Sequence, residues 1–403
     1  MPRRPLVIGA LGTSLTWGAD LADRIGESWP TRLEQKLRTR LQRDDLFVVN
    51  GAQRATSADF AALCFDELWG AQWSDVRGVA HPPRLDLCII EFNWSSSAGQ
   101  MAALIEELQL RGIPVVAVLY YHPVNVMKLS GRKHEQLAPF DDTNFAFGKH
   151  SNFAYVFNER GVPFVNTSLL NAKYGWRAML NTTQKIRSAA HLSPLGHEGI
   201  ASLLSNLLLD SASDCAKAFR LPSSTASSSS SDAAGSSRYF CRIGSSLSDI
   251  TLQRATTGFR MLQPTDGRTP GLVANDRNAS LAFIVPTPIP NAGRYLSVAI
   301  ERSYRHTGSA RITCHGVCIC APVTFDMHSK KKYTYLQRTT PRWLYTPSAA
   351  LLATAASSPQ CRVLIEALNL TEGRLMVKAI TISAPRPGPG NRSVSVNSLY
   401  ALP

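Results

Sequence analysis

Two residues, Ser14 and His191, have the types and settings that nucleophilic chemistry needs. Ser14 lies in Gly12-Thr13-Ser14-Leu15-Thr16-Trp17-Gly18, directly after the apolar run Pro5–Leu11. A serine in a glycine-bounded turn after a buried strand presents its hydroxyl at the strand's carboxyl end. Serine is a poor nucleophile until a base takes its proton. His191 opens His191-Leu192-Ser193-Pro194-Leu195-Gly196-His197, ahead of a helical pattern over Pro194–Leu209. If that helix packs on the same sheet, the imidazole reaches the end of the first strand. Such a pair could attack and release an acyl group, and no cofactor is expected. His197, at helical spacing, reads as a cap or packing residue. His122, in Tyr120-Tyr121-His122-Pro123, comes after another strand pattern and is a candidate for the same cleft.

The elements that must position these groups follow from hydrophobic periodicity. Pro5–Leu11, Leu46–Val49, Leu85–Phe92, Ile113–Tyr120 and Val162–Val165 read as buried strands. Helical patterns separate them: one from Ser28-Trp29-Pro30 to about Arg43, then Ala58–Leu68, Ala98–Leu110, Asn144–Arg160 and finally Pro194–Leu209. Strands alternating with helices imply an α/β domain, a parallel sheet covered on both faces. Sites in such sheets lie at the carboxyl ends of the strands.

Ser223 to Ser237 is dominated by Ser, Ala and Gly, which cannot bury apolar area. It divides the chain into an α/β domain over 1–220, a Ser-rich linker over 221–238 and a second domain over 239–403. The second domain has no convincing long helix apart from an Ala-rich stretch near Pro347–Ala356. Ser280–Val285, Arg294–Ile300, Ala310–Cys314, Arg362–Leu368 and Arg374–Ser383 look like strands with turns between them, which predicts an all-β sandwich or jelly roll.

The chain of 403 residues has a net charge of +14, unevenly placed. Residues 1–220 carry 23 Lys and Arg against 21 Asp and Glu, whereas residues 221–403 carry 20 against 8. A basic second domain attracts anionic partners, an acidic or sulfated polysaccharide among them, or it is simply a solvated basic face. Lys330-Lys331-Lys332-Tyr333-Thr334-Tyr335 would suit glycan or phosphate contact, with an exposed hairpin as the plainer reading. No nucleic-acid motif accompanies the charge, so nucleic acid is not the expected partner. Cys314, Cys318 and Cys320 cluster, but no second half stands at zinc-site spacing, and no metal is expected. Reduced core thiols are one reading of the eight cysteines; a Cys215–Cys241 bridge across the linker is another. No apolar run reaches the roughly 18 residues of a membrane helix, and no signal peptide is visible. Asn93, Asn166, Asn181, Asn278, Asn369 and Asn391 start N-x-S/T triplets, which leaves a secretory route open.

Five segments, in order along residues 5–210, together resemble the SGNH (GDSL-type) ester hydrolases. Gly12 to Gly18 resembles the block G-D-S-L-T-x-G, and Ser28-Trp29-Pro30 with Leu33 and Leu37 resembles the stretch after that block. Asn50 to Thr56, Asp86 to Ser96, and His191 to Ala201 resemble the second, third and fifth blocks. The resemblance implies a flavodoxin-like three-layer α/β fold, with Ser14 as nucleophile, His191 as base and the backbone N–H groups of Ser14 and Ala55 receiving the oxyanion. It also marks departures. Thr13 stands where the family has Asp. Ala55 replaces a glycine. Ser95 replaces the third block's Asn and Ser96 the Asp after it, with Asn93 two residues earlier as a possible stand-in. Ser188 occupies the place of the acid three residues before the histidine. Thr13, Ser188 and His122 are thus candidates for the cleft. Losing one oxyanion donor costs about 10²–10³ in rate, and losing the orienting acid up to about 10⁴. The second domain, in phrases such as Arg302-Ser303-Tyr304-Arg305-His306-Thr307-Gly308, resembles the β-rich module found after SGNH domains in some eukaryotic proteins, which implies carbohydrate binding. These readings lead to two functions. One is a serine esterase acting on acyl or acetyl esters, of a glycan for instance, through a Ser14–His191 pair. The other is a catalytically degenerate SGNH-fold protein that binds an anionic glycan or another acidic partner.

Overall fold

A computed structural model describes residues 4–54, 56–69, 85–92, 95–120, 149–179, 191–218, 239–263, 270–287, 294–302, 308–328, 335–338, 342–345, 360–370 and 374–383. The expected parallel sheet is present. Its strands are β1 (Leu6–Gly12), β2 (Leu46–Asn50), β3 (Leu87–Glu91), β4 (Val115–Leu119) and β5 (Phe164–Asn166), in the order β2-β1-β3-β4-β5. All four pairings are parallel, and Gly12 stands opposite Glu91. This is the flavodoxin-like order, whose switch point lies between β1 and β3.

The helices are α1 (Ser14–Trp17), α2 (Arg24–Glu27), α3 (Trp29–Leu41), α4 (Ala58–Leu63), α5 (Ala98–Leu110), α6 (Lys149–Glu159), α7 (Ser168–Tyr174), α8 (Trp176–Met179) and α9 (Pro194–Ala218). Alternate strand residues face opposite layers, because side chains in a strand alternate. Ile8, Ala10, Ile89, Val116 and Val118 meet Trp29, Leu33 and Leu37 of α3 and Ile200, Ala201 and Leu204 of α9. Val7, Leu11, Cys88, Ile90, Ala117 and Leu119 meet α4, α5 and α6 on the other face. The helix expected over Ala58–Leu68 is interrupted at Cys64, with a further turn at 65–69. The last helix runs on past Leu209 to Ala218.

The second half forms two antiparallel sheets. One has the order β12-β15-β10-β17-β8-β7, with β14 beside β10 and β6 beside β17. Its strands are β6 (Tyr239–Ile243), β7 (Phe259–Leu262), β8 (Gly271–Ala274), β10 (Arg294–Arg302), β12 (Ile319–Cys320), β14 (Tyr335–Arg338), β15 (Arg342–Tyr345) and β17 (Leu375–Ser383). The other has β13 (Val323–Asp326), β11 (Ser309–Gly316), β16 (Cys361–Asn369) and β9 (Ser280–Val285), in that order. Leu296, Val298 and Val377 from the larger sheet pack with Phe283, Ile312 and Ile365 from the smaller one, so the sheets face each other across one core. β17 is buried on both faces for most of its length. Its outer residue Ala379, with Cys241, Ile243 and Ala299, joins the core cluster that contains α4 and α5. The Ala-rich stretch near Pro347–Ala356 and Lys330–Lys332 lie outside the described residues.

The cysteines correct the sequence reading. Cys241 bonds to Cys64, not Cys215, and ties β6 to the end of α4. Cys314 pairs with Cys320 and Cys318 with Cys361, so the C-x3-C-x-C cluster staples the sandwich. Cys88 is a buried free thiol. Arg242 reinforces the first junction with an ion pair to Glu67 at 2.5 Å, and Glu67 also accepts from Ser246 Oγ at 3.0 Å.

Candidate active site

Ser14 is the first residue of α1, at the carboxyl end of β1 and beside the switch point. Thr13 caps the helix by accepting the Leu15 N–H, and Gly18 ends it in the left-handed region at φ 83°. Gly12 is required: a Cβ there would lie 2.2 Å from Thr16 Oγ1 and 2.9 Å from the Glu91 carbonyl. As the first helical residue, Ser14 has an N–H without an intrahelical acceptor. Its hydroxyl is 3.0 Å from His191 Nε2.

His191 comes from the other end of the domain sequence. Leu192 beside it is buried, and Ser193 Oγ accepts the Gly196 N–H at 3.1 Å at the start of α9. Gly196 lets that segment sit against α8, since a Cβ would fall 2.5 Å from the Met179 carbonyl. The segment that follows the imidazole is thus held in place, with Nε2 toward Ser14.

Behind the imidazole stands Asp20. Its Oδ2 is 2.5 Å from His191 Nδ1. With Nδ1–H donating to Asp20, Nε2 is left to accept the Ser14 proton, which is the tautomer a base needs. The side chains of His191 and Asp20 are 14% and 25% exposed, so the pair is shielded but reachable. Sequence reasoning missed Asp20, having sought the acid three residues before the histidine. Asp20 comes soon after Gly18, just beyond the short helix, and adopts φ 69°, a left-handed conformation that Asp tolerates better than most residues. That conformation turns the chain back so that its carboxylate reaches His191.

A second carboxyl lies on the buried side of the same turn. Glu91 Oε2 accepts from Thr13 N at 3.2 Å, Thr13 Oγ1 at 2.9 Å and Thr16 Oγ1 at 3.2 Å. Thr13, expected at the cleft, is therefore buried and faces inward. Burial raises the Glu91 pKa to about 7 against the lowering effect of these hydrogen bonds. Its Oε1 has no hydrogen-bond partner among the described residues. Tyr120 is buried next to it, and desolvation and the Glu91 charge both push the phenol up. Asn50 completes the support by donating from Nδ2 to the Thr16 carbonyl at 3.0 Å.

The other candidates are spread between the surface and the core. Ser95 is exposed in the turn after β3, and its N–H bonds the Phe92 carbonyl at 3.2 Å, which leaves its hydroxyl as the group it can offer. Ser96, in the place of the family's Asp, is buried and accepts the Ala58 N–H at the start of α4 at 2.7 Å. Ala55, Asn93, His122 and Ser188 lie outside the described residues. His197 is fully buried, and its Nδ1 accepts the Trp29 N–H at 3.2 Å. It caps α3 from a distant segment, where the Ser28 side chain makes no cap bond. Burial first, then Arg32 and His191, lower its pKa to about 3, so it remains neutral and able to accept. Among the described residues no group of His, Cys, Asp and Glu could hold a metal.

No family model matches the chain, and no curated protein sequence matches it. Solved structures do. Two crystal structures of a two-domain esterase described as active on acetylated mannans, one of them co-crystallised with mannopentaose, superpose with TM-scores of 0.55 and 0.57. Identity is 14% in both; 95% and 96% of this chain and 92% of that chain are covered. AlinE4, an SGNH-hydrolase family esterase, aligns at 19% identity over 54% of this chain and 99% of that one, with a TM-score of 0.31. At such identities the likeness to the two-domain structures speaks to fold alone: an α/β domain succeeded by a second, β-rich domain.

Proposed function

We propose that the chain is a serine ester hydrolase of SGNH type that cleaves acyl or acetyl esters, with a glycan as the substrate class. The observation that carries this reading is the continuous hydrogen-bonded line from Ser14 Oγ through His191 to Asp20. Ser14 attacks the ester carbonyl while His191 Nε2 takes its proton. Asp20 orients the ring and stabilises the imidazolium that forms. The N–H groups of Ser14 and Ala55 receive the oxyanion, with Ser95 or Asn93 as further donors. His191 then returns the proton to the leaving alcohol, and water releases the acyl group by the same steps in reverse order of roles.

The glycan part of the proposal is supported by the acetylated-mannan activity given for the two-domain structures and by the basic second domain, which would hold an acidic polysaccharide. The domain division at residues 221–238 belongs to the same reading. The three disulfides support an oxidising, secretory compartment, and no described helix is long and apolar enough to cross a membrane.

Short-chain aryl esters and an organophosphonate probe test the proposal. Turnover together with labelling of Ser14, lost in His191→Ala, is expected. Absence of both overturns the reading in favour of a catalytically degenerate protein that only binds.

A further inference from the structure

Beside Ser14 the protein places two arginines on one tryptophan. Trp17 is the last residue of α1, three positions from Ser14. Residues so spaced are neighbours on a helix, about 5–6 Å apart at Cβ. The guanidinium carbon of Arg24 lies 4.2 Å from the Trp17 ring centroid, and that of Arg54 lies 5.4 Å from it. Trp17 and Arg54 are half-buried and Arg24 is exposed, so the group opens to solvent.

These positions are built, not incidental. The loop after β2 is pinned to the nucleophile turn by Gly51 N–H to the Ala10 carbonyl at 2.9 Å and Gln53 N–H to the Gly12 carbonyl at 3.2 Å. That brings Arg54 in from one side. On the other side Arg24 opens α2, with its Cγ against the backbone at Gly18. No carboxylate pairs with Arg24 among the described residues. The nearby acids have other duties: Asp23 accepts the Gly26 N–H at 2.9 Å, and Asp20 holds His191. A guanidinium group stacked on an aromatic face directs its in-plane N–H groups past the ring edge, where a planar anion can meet them.

We infer that Trp17, Arg24 and Arg54 form a subsite for an anionic group on the substrate, a carboxylate in the first instance, one helical turn from the scissile ester. The inference rests on Ser14 being the nucleophile. It assigns a substrate class to the cleft itself: acyl esters of an acidic molecule, such as a uronic-acid-containing glycan.

Phenol release from 4-acetoxybenzoate and from its neutral isostere 4-acetoxybenzamide provides the test, since the acyl group and ring are the same. The full chain is expected to favour the carboxylate by about 10–100-fold in kcat/KM, mainly through KM. In the double variant Arg24→Gln, Arg54→Gln that ratio should fall to within about threefold of one, and in the unsubstituted chain it should shrink as salt rises. Equal use of both esters by the unsubstituted chain, or a ratio that survives the double substitution, overturns the subsite and leaves Ser14 as nucleophile standing. No turnover of either ester with no labelling of Ser14 overturns the hydrolase reading instead. The subsite is then decided by calorimetric titration with 4-hydroxybenzoate: heat lost in the double variant supports it, and no heat overturns it.

Discussion

The two domains use polar and covalent restraints differently. In the α/β domain, polar side chains gather at the carboxyl edge of the sheet. Asp20 holds His191 on the open side of the Ser14 turn and Glu91 holds Thr13 on its buried side. In the sandwich, restraint comes from two disulfides and from an ion cluster in which the buried Glu301 meets the exposed Arg374 at 2.8 Å and the buried Lys378 at 3.6 Å. The third disulfide, Cys64–Cys241, sits where the domains touch. The difference teaches where change is felt. A substitution at the sheet edge should alter chemistry with modest loss of stability. A substitution among the staples should alter stability and leave the triad's geometry intact.

Ser14→Ala tests the first half most severely. A drop in kcat on the order of 10⁶-fold is expected, with the unfolding midpoint within a degree or two of the parent. Asp20→Asn comes next. It keeps the shape but stabilises the wrong tautomer of His191, so kcat should fall by about 10⁴-fold while KM changes little. A loss under tenfold would return the site to a Ser–His dyad. On the staple side, the double substitution Cys64→Ala, Cys241→Ala opens a loop with a sequence separation of 177. About 3–5 kcal/mol of stability should be lost in denaturant unfolding, with kcat on a small aryl ester held within about threefold.

Glu91 crosses the division, because it belongs to the site and to the core. Its pKa is raised to about 7, above the ordinary value near 4.5, so the folded chain keeps a proton that the unfolded chain releases. The stabilising contribution is therefore complete below about pH 4.5 and is lost as pH rises through about 7, a change of roughly 3 kcal/mol. Unfolding free energies measured from pH 5 to pH 8 should show most of this decline. Glu91→Gln should flatten it; an unchanged slope would mean that another group titrates. The smallest effect is expected at His197. Replacing it by Ala leaves the Trp29 N–H without its acceptor and should cost about 1–3 kcal/mol. Activity at pH 7 should persist.

Much of the α/β fold was legible because its signals are local. The strands read as apolar runs and the helices as periodic ones; Ala98–Leu110 matches its expected bounds, whereas the last helix continues past Leu209 to Ala218. The sandwich was less so. The strands expected from long apolar alternation, such as Ser280–Val285, are present, whereas β7, β12, β13, β14 and β15 are only 2–4 residues each and carry too little pattern to read. Cys241 offered no hint of its partner, because loop closure over such a distance depends on how β6 lands against α4.

Ser14 and His191, which meet at 3.0 Å, could be singled out as candidates from the chain alone, since a serine turn after a buried strand and a histidine before the last helix are local patterns. Their acid could not. A carboxylate three residues before His191 would be a sequence motif, but Asp20 joins the imidazole across a separation of 171 residues and does so through a left-handed backbone angle. Thr13 shows the same limit. Its type suggested a lost cleft acid, yet its hydroxyl turns inward to Glu91, whose buried position comes from the pairing of β1 with β3. Residue type and local spacing determined which groups could react. Strand order and a single backbone conformation decided which of them meet, because hydrogen bonds act over about 3 Å and only packing brings distant segments that close.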